Sequence, residues 1–315
     1  MRSVELFAGG GGLLLGTHGA GFKAEVAAEW DRWACDTLRE NRAREHPMIP
    51  ADCRIIEGDV RAIDWGDVPD GVDLVSGGPP CQPFSAGGRA RAADDPRDMF
   101  PATVNVVRTL RPRAFIIENV RGLTRPAFSD YLQYIELQLQ HPELRSREDE
   151  SWGDHYRRLQ AEHTTITSGL RYNVVRTLVN AADYGAPQQR WRVFLVGFRS
   201  DVEADWAFPA PTHSRIALLH EKSTGAYWDR LSVPKRQRPT QGALPLTVPT
   251  DGLRPWRTVR EALSGLPEPT IAGSRRHLNH RLQPGARAYP GHTGSPIDLP
   301  AKALKAGGHG VPGGE

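Results

Sequence analysis

Across residues 1–200, short apolar runs alternate with stretches of helical periodicity, and few architectures accept that alternation. The runs Val4–Phe7, Ala24–Ala28, Arg54–Glu57, Val72–Ser76, Ala114–Glu118, Tyr172–Leu178 and Val193–Phe198 predict strands. Between them, Leu13–Ala20, Trp33–Asn41, Asp98–Leu110, Tyr131–Leu139 and His155–Ser168 predict helices. Strands that alternate with helices build a parallel sheet covered on both faces, an α/β fold. Ligands of such sheets bind outside the carboxyl ends of the strands, so the residues just after each run are the candidates for function.

The character of the chain changes near residue 205. Of its 26 prolines, 14 lie in the last 115 residues, and helical periodicity survives only at Ile216–Lys222 and Thr258–Leu263. Trp206, Trp228 and Trp256 argue for a packed domain rather than a disordered tail. The expected organisation is a domain over 1–204 and a smaller, loop-rich one over 205–315. Residues 140–154 are charged and irregular and read as a surface insertion. Residues 1–200 carry 25 Lys/Arg against 27 Asp/Glu, whereas 201–315 carry 15 against 10. The positive excess therefore sits where a polyanion can be held, although a solvated basic surface explains it equally.

The cysteines are Cys35, Cys53 and Cys81, with no CxxC pair, so no structural metal is expected. An odd count without a basic, apolar leader fits a reducing, cytoplasmic compartment. No apolar run reaches the ~20 residues of a membrane span.

Three strand ends carry unusual residues. The first opens into Phe7-Ala8-Gly9-Gly10-Gly11-Gly12 ahead of a helix, where glycines permit close backbone approach to a ligand. The second ends at Glu29-Trp30-Asp31, the place where a carboxylate catches a ribose diol. The third runs into Gly58-Asp59, an acceptor for an adenine amino group. Singly, the glycines read as a tight turn and each acid as a helix cap or a surface charge. At three consecutive strand ends they outline a nucleoside pocket.

The fourth strand leads into Gly77-Gly78-Pro79-Pro80-Cys81-Gln82-Pro83-Phe84-Ser85. Most free cysteines are inert core residues, which suits Cys35 and Cys53. It suits Cys81 poorly, because the flanking prolines exclude regular structure and backbone N–H groups or a cation can favour its thiolate. The fifth strand ends at Glu118-Asn119-Val120 and is expected beside the fourth, so that Glu118 faces Cys81. In Gln188-Gln189-Arg190-Trp191-Arg192 the two arginines alternate and share one face of an extended segment. Such a pair can fix a carboxylate or neutralise an anion. These residue types fit carbon methylation of a pyrimidine. A thiolate adding at C6 makes C5 nucleophilic, and a carboxyl group near N3 stabilises the ring charge.

In these motifs the chain resembles the DNA cytosine-5 methyltransferase family. Val4-Glu5-Leu6-Phe7-Ala8-Gly9, Gly78-Pro79-Pro80-Cys81-Gln82-Pro83-Phe84-Ser85, Glu118-Asn119-Val120 and Gln189-Arg190-Trp191-Arg192 occur in the family's order over residues 3–200. The resemblance implies a Rossmann-like sheet that takes S-adenosyl-L-methionine, with Phe7, Gly9, Gly11, Glu29, Trp30, Asp59 and Pro79 in the cofactor site. It implies that Trp30 stacks on the adenine, and that Cys81, Glu118, Arg190 and Arg192 are catalytic. Asp95-Pro96-Arg97-Asp98-Met99-Phe100 resembles the segment that closes the catalytic loop, and Gln82–Arg97, with Gly87, Gly88, Arg89 and Arg91, resembles the loop that covers DNA. Residues from about 205, including Pro300–Glu315, correspond to a target-recognition domain that reads duplex DNA in the major groove. The implied enzyme acts as a monomer on a flipped base within a restriction-modification system.

The family's Arg-x-Gln-x-Phe-Pro helix and its closing Gly-Asn-x-Val-Pro segment do not follow before Glu315. The expectation from the sequence is therefore a truncated or split enzyme, completed by a C-terminal polypeptide. Alternatives are a DNA-binding fragment without activity and methylation of tRNA, which the extended basic second domain disfavours.

Overall fold

The computed structural model describes residues 1–80, 98–165, 168–238, 252–274, 276–277, 280–282, 284 and 294–303. Cys81 and the rest of 81–97 lie outside the described residues, as do 304–315. Two compact units divide the chain: Met1–Leu178 with Arg192–Phe208, and Val179–Trp191 with Pro209–Glu315. The second unit thus includes a segment that lies between two strands of the first.

In the first unit the elements run β1 (Arg2–Leu6), α1 (Gly12–Gly19), β2 (Lys23–Glu29), α2 (Arg32–Ala43), β3 (Arg54–Glu57) and β4 (Leu74–Gly77). They continue through α3 (Phe100–Leu110), β5 (Ala114–Val120), α4 (Ser129–Gln140), α5 (Trp152–His163), β6 (Tyr172–Asn180) and β7 (Trp191–Arg199). The strands form one seven-stranded sheet in the order β3-β2-β1-β4-β5-β7-β6. The pairs β1–β2, β1–β4, β2–β3 and β4–β5 are parallel. The expectation of a wholly parallel sheet needs correction at one edge, because β7 pairs antiparallel with β5. An apolar run that is buried on both faces reads the same in either direction.

Each face has its own core. Leu14, Leu38, Met48, Ile49 and Cys53 pack with Ala24 and Ala27 on one side. A larger cluster joins Val4, Leu6, Val75, Phe115 and Ile117 to Phe100, Val104, Val107, Ile135 and Leu159 on the other. Residues 143–154 are mostly exposed, as an insertion should be, but His141 and Pro142 are buried at its root.

The register aligns the strand ends. Leu6 pairs with both Ala28 and Gly77, Glu29 pairs with Glu57, and Gly77 pairs with Ile117. A side chain at Gly77 would place its Cβ 2.7 Å from the Leu6 carbonyl oxygen, so only glycine lets β4 leave the sheet here. The residues after β1, β2, β3, β4 and β5 consequently emerge along one edge.

In the second unit the elements are β8 (His213–Ser214), α6 (Arg215–Thr224), α7 (Ala226–Arg230), β9 (Arg254–Pro255) and α8 (Val259–Leu263). Helix α8 begins with a capping box, Thr258 and Glu261 each accepting the other's backbone N–H. Tyr227, Trp228, Trp256 and Leu218 form the core. Helix α7 was not expected from the sequence; it is five residues long, too short for periodicity to register.

Candidate active site

The glycine loop after β1 is held by Glu29. Its Oε2 accepts the Gly9 N–H at 2.7 Å, and its Oε1 accepts Trp30 and Asp31 N–H at 2.9 and 2.8 Å. An ionised carboxylate has about four lone-pair directions. Three are taken by the loop and the strand end, which leaves one for a ligand hydroxyl. Phe7 is turned into the left-handed region at φ 53°, an unusual state for a bulky residue. Gly11 caps α1 at φ 91°, and a Cβ there would lie 3.1 Å from Leu38 Cδ2. The glycine at 11 therefore serves packing between α1 and α2 as well as the turn. Asp31, read as a cap, accepts the Ala34 N–H at 2.9 Å and starts α2.

A cavity of about 350 Å³ opens over these strand ends, lined by Phe7, Ala28, Glu29, Trp30, Gly58, Asp59, Val60, Arg61, Pro80 and Met99. That volume is in the range of small-molecule sites, about 300–1,000 Å³. Trp30 is 67% exposed, so packing does not explain its indole. An exposed indole beside carboxylates and apolar walls fits an adenine nucleoside. Asp59 lies on the cavity wall but is paired with Arg61 at 2.5 Å. That guanidinium holds the Asp59 carboxyl below the usual carboxylate range.

Of the residues expected in the cofactor site, Phe7, Glu29, Trp30 and Asp59 line the cavity directly. Gly9 is not in the lining but donates its N–H to Glu29. Pro79 is buried and Pro80 takes the wall position. Val60, Arg61 and Met99 complete the lining and were not singled out individually in the sequence. Met99 belongs to the segment expected to touch cofactor, and its neighbour Asp98 accepts the Phe100 N–H at 3.0 Å to start α3.

Two of the four catalytic candidates, Glu118 and Arg192, meet where β5 leaves the sheet. Glu118 and Arg192 form an ion pair at 2.6 Å, with side chains 25% and 18% exposed. Asn119 is buried and donates from Nδ2 to the Pro79 carbonyl at 3.1 Å. A Cβ on Gly78 would lie 3.1 Å from Glu118 Oε2, so the backbone after β4 runs against that carboxylate. Cys81 follows one residue beyond Pro80, outside the described residues. The other two cysteines are both buried. Burial pushes the Cys53 thiol up to about 11 and raises that of Cys35, which keeps both protonated and unreactive. Arg190 belongs to the second unit, where its backbone N–H is accepted by Asn180 Oδ1 at 3.1 Å.

A family model described as C-5 cytosine-specific DNA methylase matches residues 1–142 and 155–243. The chain belongs to that family. The interruption in the match, residues 143–154, falls on the mostly exposed stretch that leads into the first turn of α5. Type II methyltransferase M.AquIA of Picosynechococcus sp. is 32% identical over 277 residues, covering 85% of this chain and 90% of that protein. M.NgoPII and M.NgoMIV, type II methyltransferases of Neisseria gonorrhoeae, are 32% and 35% identical. They cover 66% and 70% of this chain, which spans only 51% and 58% of their length. Among solved structures, an Escherichia coli prophage protein described as a DNA modification methyltransferase superposes with a TM-score of 0.50. It is 24% identical and covers 85% of this chain and 56% of that one, a likeness of fold. No helix among the described residues is long and apolar enough to cross a membrane.

Proposed function

We propose that this protein methylates C5 of cytosine within a specific duplex DNA sequence, using S-adenosyl-L-methionine and a covalent adduct between Cys81 and C6 of a flipped base. The observation that supports it most is the pinning of Gly78-Pro79-Pro80 against Glu118-Asn119, because it brings the approach to Cys81 beside an Arg192-paired carboxylate. Cys35 and Cys53 are too deeply buried to serve instead.

In this reading the Cys81 thiolate forms a bond to C6, and the C5=C6 electron pair moves into the ring. Glu118 holds a proton at N3 and stabilises the charge that builds there. Arg192 fixes the carboxyl group by its ion pair. S-Adenosyl-L-methionine, when bound, would supply the methyl group to which C5 forms its new bond, the sulfonium–methyl bond breaking to leave a neutral thioether. Loss of the C5 proton to a base and expulsion of the Cys81 thiolate restore the aromatic ring. Glu29 and Asp59 orient the nucleoside end of the cofactor, and Trp30 covers its base. The second unit, where the basic excess lies, holds the duplex, its Lys/Arg side chains contacting phosphates.

The test is a covalent trap. Duplexes of mixed sequence carrying 5-fluorocytosine are incubated with S-adenosyl-L-methionine and the protein, alone and together with the C-terminal part of a longer relative. A denaturing gel and peptide mapping then locate the adduct. The expected adduct is on Cys81 and disappears in Cys81→Ser, which still binds DNA. An adduct on another cysteine, turnover by Cys81→Ser, or preferential methylation of tRNA overturns the proposal.

A further inference from the structure

We infer that Asn180 is a positioning residue that sets the backbone of Arg190, an assignment whose catalytic meaning rests on the function proposed above. Strand β6 ends at Asn180 and β7 begins at Trp191. The chain between them makes a 3-10 turn over Ala181–Tyr184, reverses at Gly185 with φ 89°, and returns. Asn180 is fully buried at the neck of this excursion. Its Oδ1 accepts the Ala182 N–H at 3.4 Å and the Arg190 N–H at 3.1 Å. The Arg190 carbonyl accepts the Ala181 N–H at 3.0 Å. Both polar groups of the Arg190 backbone are thus fixed by the two residues that open the loop.

A local end-cap explains only part of this. An asparagine that merely terminates a strand needs the bond to the N–H two residues on, here Ala182. The bond to Arg190 spans ten residues and is also the shorter of the two. The buried Asn180 Nδ2 has no hydrogen-bond partner among the described residues. Burying an unpaired amide group is unfavourable, so the favourable contribution of this side chain comes from its oxygen.

The rest of the loop is gripped by its own unit. Trp256 Nε1 donates to Asp183 Oδ1 at 2.8 Å. Ala301 N–H donates to the Pro187 carbonyl, and Gln189 N–H to the Ala301 carbonyl, both at 2.8 Å. The body of the loop is therefore fixed to the unit expected to read DNA, while Asn180 fixes the point at which the arginine leaves it. The direction of a side chain follows its backbone, and a displacement of about 1 Å at a reacting centre can cost on the order of 100-fold in rate.

The experiment compares wild type, Asn180→Ala and Asn180→Asp in the full chain by hydrogen exchange with mass spectrometry. Asn180→Ala is expected to speed exchange at the Ala182 and Arg190 amides at least tenfold, roughly an estimate of one lost bond, while β1 to β4 stay as in wild type. Asn180→Asp keeps an acceptor oxygen and is expected to restore protection. Unchanged exchange in α6 and around Trp256, elements of the same unit, reports that each variant is folded there. Single-turnover methylation is then measured for Asn180→Ala, Arg190→Ala and the double variant. Positioning through Arg190 predicts a slower turnover for Asn180→Ala and no further loss when it is added to Arg190→Ala. Unchanged exchange at Arg190, or losses that multiply in the double variant, overturns the inference. Exchange decides the positioning by itself. Undiminished turnover of Arg190→Ala alone instead overturns the catalytic reading of that arginine.

Discussion

Arg192 Nε lies 2.6 Å from Glu118 Oε1, across two strands that run in opposite directions. In the β5–β7 register Arg192 sits opposite Val120, so the pair is a diagonal one, two residues removed, and both side chains share a face. Only the antiparallel placement of β7 brings the start of one strand to the end of the other. The carboxylate expected at the pyrimidine N3 is thereby held at both ends, by its own strand and by an arginine.

Removing that arginine should therefore cost both stability and rate. Arg192→Ala leaves a three-quarters buried carboxylate without its charged partner. A hydrogen bond to a charged group contributes about 1.5–3 kcal/mol, and the remaining exposure of Glu118 favours the lower end. Urea titration of Arg192→Ala is expected to show a lower midpoint with an unchanged slope, and methyl incorporation is expected to fall at least tenfold. Arg192→Lys retains the charge but loses the planar fork, so it should recover stability more fully than turnover. Equal turnover in Arg192→Ala and wild type would remove the pair from the mechanism.

Glu29 and Asp59 line the same cavity but should fail differently. Glu29 secures Gly9, Trp30 and Asp31 through their N–H groups, so Glu29→Ala should lower thermal stability as well as cofactor affinity. Among the described residues the Asp59 carboxylate meets only the neighbouring Arg61, through its exposed guanidinium and its backbone N–H, and such local, exposed pairs contribute little. Asp59→Ala should leave the melting temperature within about 1 °C while weakening S-adenosyl-L-methionine binding roughly tenfold, the expected effect of one lost charge-assisted hydrogen bond. Calorimetric titration and a melting curve on each variant provide the check, and unchanged affinity in both would dismiss the cavity as the cofactor site.

Glu5 makes stability depend on pH. It is the fourth of the five residues of β1, 1% exposed, with Ser76 Oγ donating to its carboxyl group. Burial pushes its carboxyl up to about 8, and the Ser76 bond offsets only part of that. The folded chain keeps this proton while the unfolded chain releases it near 4.5. Between those values the folded state binds more protons, so stability falls as pH rises and levels off above about 8. The contribution to the slope is at most about 1.4 kcal/mol per pH unit. Glu5→Gln mimics the protonated form and should flatten the decline between pH 5 and 8. A denaturation series in which both proteins lose stability in parallel would contradict this.

The cavity was legible where local chemistry coincides with a strand end. Glu29 and Asp59 stand at the termini of apolar runs, and the cavity includes both. Cys35 was expected in the core from the apolar side of its helix, and Cys53 as an ordinary free cysteine; both are buried in the structure. Glu5 could not be recognised as buried, because an acid within a strand reads as a solvent-facing position. Asn180 could not be linked to Arg190, because a bond spanning ten residues leaves no periodic trace.

The order of strands and helices, the glycine turn and the chemistry of the strand ends were determined by the sequence alone, since each depends on neighbours within one or two turns of chain. The antiparallel course of β7, the Arg192–Glu118 pair and the allegiance of Val179–Trp191 to the second unit were decided only by tertiary structure. The physical reason is the same for all three. An apolar run records that it is buried, and a charged residue records that it needs a partner, but neither records which distant segment supplies the other side.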